Sequence, residues 1–256
     1  MYIDTHCHFD ALEFDKDRHQ IYQELEKHSI YLFCMNVETL NFNKVIELSK
    51  LKNIYFCLGI HPLYSKNCSQ KDIQILQEYI KHNLNNPKFL GIGEIGLDGI
   101  SDIDFKQQIF IYEQQLKLAK QFDLPVFLHI RKAQDQVLKY LRQYDITKGI
   151  AHAFNGSFQQ ANNYINQGFK LGFGGNITFE RALNIRKLAA EIDIANIVLE
   201  TDAPDMSPSW DYKQRNTPLN IIKIAEVMCD LKQINLEDLN KSINKNITDL
   251  FSKIIF

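Results

Sequence analysis

The sequence has no surplus of either charge. Its 29 Lys and Arg stand against 31 Asp and Glu, a formal net of −2 over 256 residues. That balance excludes a chain-wide electrostatic grip on nucleic acid, although it leaves room for a local phosphate site. A basic recognition helix is also missing, which argues against a sequence-specific DNA-binding protein. No apolar run approaches the ~18 residues that a membrane-spanning helix needs, so no membrane partner is expected. The first residues do not read as a basic segment followed by an apolar one, so no secretory leader is expected either. The five cysteines lack CxxC spacing. Cys7, Cys34 and Cys57 lie in apolar, strand-like runs, where a thiol packs as a small hydrophobe. A reduced, cytoplasmic protein is the expectation. No linker rich in Pro, Gly or Ser divides the chain, and no internal repeat or low-complexity tract is present, so residues 1–256 are expected to form a single domain. The oligomeric state is not legible; a monomer is compatible with everything above.

What is present is alternation. Runs rich in β-branched and aromatic residues take turns with amphipathic ones. Strands are expected at Tyr2–His8, Ile30–Val37, Ile54–His61, Phe89–Gly96, Pro125–Arg131, Gly149–Phe154, Phe169–Phe173 and Asn196–Thr201. Helices are expected between them, and two more, near Pro218–Cys229 and Leu236–Phe251, close the chain. The clearest helix begins near Phe105, where Phe105, Ile109, Tyr112, Leu116 and Ala119 draw one apolar stripe behind a cap at Asp102 or Asp104. Eight strands alternating with helices predict an α/β protein. The expected fold is a TIM (β/α)8 barrel, distorted, with an extra C-terminal helix. An open doubly wound sheet is the alternative.

The unusual polar residues collect at the C-terminal ends of these strands, the functional face of such a barrel. His6 and His8 are two apart on the first strand and so share a face, with Cys7 on the other. His61 ends the third strand, Glu94 comes late in the fourth, His129 late in the fifth and His152 in the sixth, while Glu200 and Asp202 end the eighth. Burying such groups unpaired would cost several kcal/mol, and a bound cation resolves that cost. Four histidines and two carboxylates exceed what one tetrahedral ion with an open position uses. They suit two divalent ions bridged by a shared carboxylate and a water, with Glu94 as the bridge. The first ion would take His6, His8 and Asp202, and the second His129 and His152. The nitrogen-rich set favours zinc, and the carboxylates leave room for manganese or magnesium.

At this point the residues resemble a known family, the TatD-type metal-dependent hydrolases, a branch of the amidohydrolase-like barrels that includes deoxyribonucleases. The segments that carry the resemblance are IDTHCHFD at 3–10, GIHP at 59–62, GEIGLD at 93–98, LPVFLHIRKA at 124–133, HAFNGS at 152–157, FGGNIT at 173–178, ETDAPDM at 200–206 and RNTP at 215–218. The resemblance implies His6, His8, Glu94, His129, His152 and Asp202 as metal ligands, the set already reached from the strand ends. It also implies hydrolysis of phosphodiester bonds, with a 3′–5′ exonuclease type as the expected activity. ETDAPDM stands where many relatives read ETDSPYL, and GLDGI lacks the aromatic pair that often follows GLD. Both departures lie beside the site and leave the substrate open.

The expected chemistry is attack on phosphorus by a water acidified between two ions. Asp202 is the expected proton acceptor, and Glu200 is either a second base or a supporting carboxylate. His61, Arg131, Asn155 and Ser157 are candidate substrate contacts, Arg131 through its bidentate fork. The expected substrate is a DNA end or a small phosphoester. Hydrolysis of a small ester, cyclic amide or phosphate monoester on the same site is the alternative, with a non-catalytic, metal-stabilised scaffold as a third reading.

Overall fold

A computed structural model describes residues 1–251 and 254. Of the domain expected over 1–256, Ser252, Lys253, Ile255 and Phe256 lie outside the described residues. The strands are β1 (Tyr2–Cys7), β2 (Ile30–Met35), β3 (Ile54–Leu58), β4 (Phe89–Asp98), β5 (Val126–Arg131), β6 (Gly149–Ala151), β7 (Phe169–Phe173) and β8 (Ile197–Leu199). The helices between them are α1 (Arg18–Lys27), α2 (Phe42–Leu48), α3 (Gln70–Asn83), α4 (Phe105–Phe122), α5 (Gln134–Gln143), α6 (Phe158–Asn166) and α7 (Leu183–Glu191), and α8 (Ile221–Lys232) and α9 (Leu236–Leu250) follow. The strands lie side by side in chain order, and each neighbour pair from β1–β2 to β7–β8 is parallel. This is the expected barrel rather than the open sheet. Among the described residues no helix is long and apolar enough to cross a membrane.

The barrel closes without a regular ladder between β8 and β1. The backbone of Asp202 donates to the His6 carbonyl at 2.8 Å, and that of His8 to the Ala203 carbonyl at 2.8 Å. Below these bonds, the Asp4 carboxylate accepts from the Thr201 backbone N–H at 2.9 Å, the Thr201 hydroxyl at 2.5 Å and the His6 backbone N–H at 3.2 Å. Asp4 and Thr201 are fully buried. A buried carboxylate therefore does the work of ladder bonds where two short strand ends meet.

At the other end, α9 forms the floor. Asn246 donates to the carbonyls of Ile194 and Ile197, both at 2.7 Å. Phe251 stacks on Phe127 with centroids 5.5 Å apart and meets Phe33 edge-on at 5.7 Å. Phe33 and Phe127, from β2 and β5, also touch each other at 6.2 Å. The extra C-terminal helix thus seals the interior at the end away from the site.

Helix α4 departs from the stripe expected of it. Asp104 is the cap, its carboxylate accepting from the Lys106 N–H at 3.3 Å. Yet Phe105 is partly exposed, and the buried face runs through Gln108, Ile111, Tyr112, Gln115, Leu116 and Ala119. The two glutamines explain the rotation. Gln115 accepts from the Ile60 N–H at 2.7 Å and donates to the Ile60 carbonyl at 2.9 Å. Gln108 does the same at Asp98, at 2.8 and 3.1 Å. The amides satisfy backbone at Ile60, past the end of β3, and at Asp98, which pairs with Arg131 of β5 but lies beyond the register with β3.

Asp4→Ala leaves three buried donors without an acceptor. At about 1–3 kcal/mol per buried unsatisfied group, the variant is expected to lose several kcal/mol. The thermal midpoint should fall by about 10 °C or more at roughly 2–4 °C per kcal/mol, read by circular dichroism. An unchanged midpoint would show that the seam does not depend on this carboxylate.

Candidate metal centre

Strands end early at the site. β3 stops at Leu58, β6 at Ala151 and β8 at Leu199, short of the expected His61, Phe154 and Thr201. The reason is that the polar residues sit in the turns that follow. Ala153 and Asp202 adopt left-handed backbone at φ 44° and 58°, a region that Asp tolerates better than most residues. The ladders also slip at the site. Register shifts fall between Asp4 and Cys7 on β1 and between Ile92 and Ile95 on β4. His6 and Glu94 lie inside those irregular stretches, where a bulge re-aims a side chain out of strict alternation.

The centre is built on Glu94, 1 % exposed. One of its oxygens, Oε2, lies 3.0 Å from His6 Nε2 and 3.3 Å from His8 Nε2. The other, Oε1, lies 3.0 Å from His129 Nδ1, 3.4 Å from His61 Nε2 and 3.8 Å from His152 Nε2. Asp202 Oδ1 completes the first side, 3.3 Å from His8 and 3.6 Å from His6, while its Oδ2 lies 4.0 Å from His152. Among the described residues, three groups have ligand atoms close enough to share an ion: His6, His152 and Asp202; His6, His8 and Glu94; and His61, Glu94 and His129.

All six expected ligands therefore converge. The partition differs from expectation in two respects. His61, expected as a substrate contact, joins His129 on the second side of Glu94, and His152, expected with His129, sits with His6 and Asp202. The place of His61 follows from the end of β3, where Gln115 holds the backbone so that the His61 ring crosses the His129 ring at 4.3 Å.

The donor set fits divalent ions. Imidazole lone pairs directed at one carboxylate oxygen repel it unless a proton or a cation lies between them. His6 Nδ1, fully buried, has no partner at all. Without a cation the site takes up protons. His8, His129 and His152 are held above the usual imidazole range by facing carboxylates that outweigh burial, His152 at about 10, whereas burial pulls His6 and His61 down. Glu94 and Asp202 are held below the usual carboxylate range by the surrounding imidazoles in spite of burial.

Two further carboxylates steer the rings from behind. Glu200 is 1 % exposed, lies 3.1 Å from His152 Nδ1 and accepts from the Ala153 N–H at 2.6 Å. A Cβ on Gly172 would stand 2.1 Å from its Oε2, so only glycine leaves room for it. Of the two roles expected for Glu200, the geometry favours the supporting one. Asp98, which the sequence reading passed over, lies 3.2 Å from His129 Nε2. Both are carboxylate–histidine pairs of the kind that fix ring orientation at metal sites. Asp98 had a signal: it stands four residues beyond Glu94 on the same strand, at the same parity.

The centre opens into a cleft of about 980 Å³ lined by His8, His61, Glu94, His129, His152 and Asp202 among others. Arg131 and Asn155 also line it, the Arg131 side chain 59 % exposed and 3.8 Å from Asp98. Ser157 does not line it. Its hydroxyl accepts from the Gln160 N–H at 3.1 Å and caps α6.

A parallel eight-stranded barrel with a histidine–carboxylate cluster at the strand ends is the architecture of a metal-dependent hydrolase. The chain belongs to the TatD related DNase family, whose sequence model matches residues 3–252. It is 34 % identical to the uncharacterized metal-dependent hydrolase YjjV of Escherichia coli, over 98 % of each chain. It is 29 % identical to the human deoxyribonuclease TATDN3, over 98 % of this chain and 95 % of that one. The crystal structure of YjjV superposes with a TM-score of 0.92 over 98 % of both chains. A TatD family hydrolase from Entamoeba histolytica, 22 % identical, shares the fold with a TM-score of 0.87 over 99 % of this chain and 98 % of that one.

Imidazoles raised by facing carboxylates must give up protons before they can donate to an ion. Metal uptake near neutral pH is therefore expected to release protons, and affinity should weaken as pH falls. Calorimetry in buffers of different ionisation enthalpy measures the number released. Heat independent of buffer would contradict the protonated apo site.

Proposed function

We propose that the chain is a deoxyribonuclease of the 3′–5′ exonuclease type, working with two divalent ions, zinc, manganese or magnesium. The ligands are His6, His8, Glu94, His129, His152 and Asp202, with His61 added to the second side. The observation that carries the reading is the division of Glu94, one oxygen toward His6 and His8 and the other toward His129 and His61. A single ion would leave one of those oxygens facing imidazoles with nothing between. Human TATDN3, a relative named as a deoxyribonuclease, supports DNA as the substrate.

Bound there, the ions would acidify a water and neutralise charge on the phosphoryl oxygens. The chain's own groups do the rest. Asp202 is held ionised by its imidazole neighbours and is the carboxylate that accepts the attacking water's proton. Glu200 keeps the His152 ring fixed through Nδ1 and leaves Nε2 toward the centre. Asp98 holds His129 through the opposite nitrogen, Nε2, and leaves Nδ1 toward Glu94. Arg131 offers an exposed guanidinium to a phosphate, and Asn155 stands on the same rim. The cleft is walled by the loops that follow the strands, so a strand end enters more readily than the middle of a duplex.

Glu94→Ala is expected to lose bound metal and to lower kcat/KM on a short single-stranded oligonucleotide by more than about a hundredfold, the upper range for supporting partners alone. Retention of both metal and turnover would remove the bridge. End attack predicts that a linear strand is shortened stepwise while a closed circular duplex survives; efficient cutting of the circle would overturn it. Small esters, cyclic amides and phosphate monoesters run side by side separate the nuclease from a small-molecule hydrolase.

A further inference from the structure

The cleft is electrostatically one-sided. Strands follow one another around the barrel in chain order and β8 adjoins β1. The loops after β8, β1 and β2 therefore form one continuous arc of the mouth, and the loop after β5 lies across from it. The first arc brings Glu13, Glu38 and Asp205 to the cleft, and the facing loop brings Arg131 and Lys132. Glu13 and Asp205 are exposed and Glu38 is half-buried, its Oε1 accepting from Asn41 at 3.0 Å.

The same arc also brings Lys44 to the cleft, but that cation is already engaged, donating to Asp15 at 3.1 Å. Arg215, nearby, pairs with Asp17 and donates to the Glu13 backbone carbonyl at 2.6 Å. Arg131 and Lys132, by contrast, are both exposed. The nearest acid to Arg131 is Asp98 at 3.8 Å, itself taken up by His129.

Resting on the nuclease reading, we infer that this asymmetry orients the strand and selects its terminus: the enzyme takes strands that end in a free hydroxyl and rejects those that end in a phosphate. The phosphates upstream of the scissile bond lie toward Arg131 and Lys132. The terminal nucleoside is then turned toward Glu13, Glu38 and Asp205. A carboxylate only accepts hydrogen bonds, so a sugar hydroxyl meets it as a donor. A terminal phosphate brings up to two negative charges against three more, and juxtaposed like charges of this kind are how a site excludes a wrong ligand.

The test uses the metal-loaded full chain and three single-stranded oligonucleotides of one sequence: hydroxyl at both ends, phosphate at the 3′ end only, and phosphate at the 5′ end only. Rates are paired with anisotropy binding of the phosphorothioate-linked versions. Phosphate on the attacked end is expected to lower kcat/KM by about tenfold or more, chiefly through KM, and to weaken binding in parallel, with the gap narrowing as salt rises and screens the exposed charges. Phosphate on the other end should change little. The triple variant Glu13→Gln, Glu38→Gln, Asp205→Asn should bring the hydroxyl-to-phosphate ratio toward one. Arg131→Gln should weaken all three substrates and leave that ratio in place. Equal cleavage and binding of all three by the unaltered protein, or a ratio untouched by the triple variant, overturns the inference while the nuclease reading stands. Failure to bind or cleave any of them overturns the nuclease reading and the inference with it.

Discussion

The structure depends on one buried charge. Glu94 lies at the centre of the barrel mouth with five imidazoles within 4 Å of its two oxygens. A carboxylate taken from water at such a place costs several kcal/mol unless it is compensated from every side. Compensation from five rings cannot be local in sequence, because no strand carries more than two of them. It requires a closed barrel, in which β1, β3, β5 and β6 all bring their ends within reach of β4. The same convergence that repays burying Glu94 creates a pocket of lone pairs that is satisfied only by protons or by cations.

Holding that pocket falls to polar groups that make no contact with anything bound there. Asp4 closes the seam between β8 and β1, Gln108 and Gln115 brace backbone at the ends of β4 and β3, and Glu200 and Asp98 set the rings of His152 and His129. Each is buried, and their bonds run to backbone, to imidazole and, from Asp4, to the Thr201 hydroxyl. The pattern is that of a preorganised site, in which the orienting partners are fixed by the scaffold before anything binds. Gly172 shows how narrow the tolerance is, since a single methyl there would collide with Glu200.

Much of this was legible in the sequence. The strand positions, the barrel and the convergence of six polar side chains follow from alternation and from polar residues at strand ends, because both depend on local periodicity. The details that were not legible are those in which the backbone departs from that periodicity. Residue type carries the expected strands on to His61, Phe154 and Thr201, beyond the observed ends at Leu58, Ala151 and Leu199, because a residue of strand-like type can sit in the turn that aims it. The α4 stripe was rotated because a reading by hydropathy counts Gln108 and Gln115 as solvent-facing, whereas in the fold they are buried through bonds to distant backbone. Ser157 reads as a rim residue, and its helix-cap role, which the Ser157-x-x-Gln160 spacing announces, competes with that reading. For His61 the sequence shows only a position after the strand, and the fold adds that its ring crosses that of His129.

The distribution of charge around the mouth follows from the same division of labour. The residues beneath the cleft are constrained by Glu94 and cannot vary in charge without unbalancing the cluster. The loops above them carry no such constraint, and there the acids lie opposite Arg131 and Lys132, while Lys44 on the acidic side is held by Asp15. A neutral rim would have solvated the pocket equally well, and a uniformly basic rim would have drawn any polyanion to it. Segregation does neither. It sets a field across the cleft, and a ligand with charge at one end only can lower its energy in just one orientation. Binding of ions belongs to the buried layer, where strands impose geometry. Choice of what approaches those ions belongs to the exposed layer, where loops impose only charge and shape.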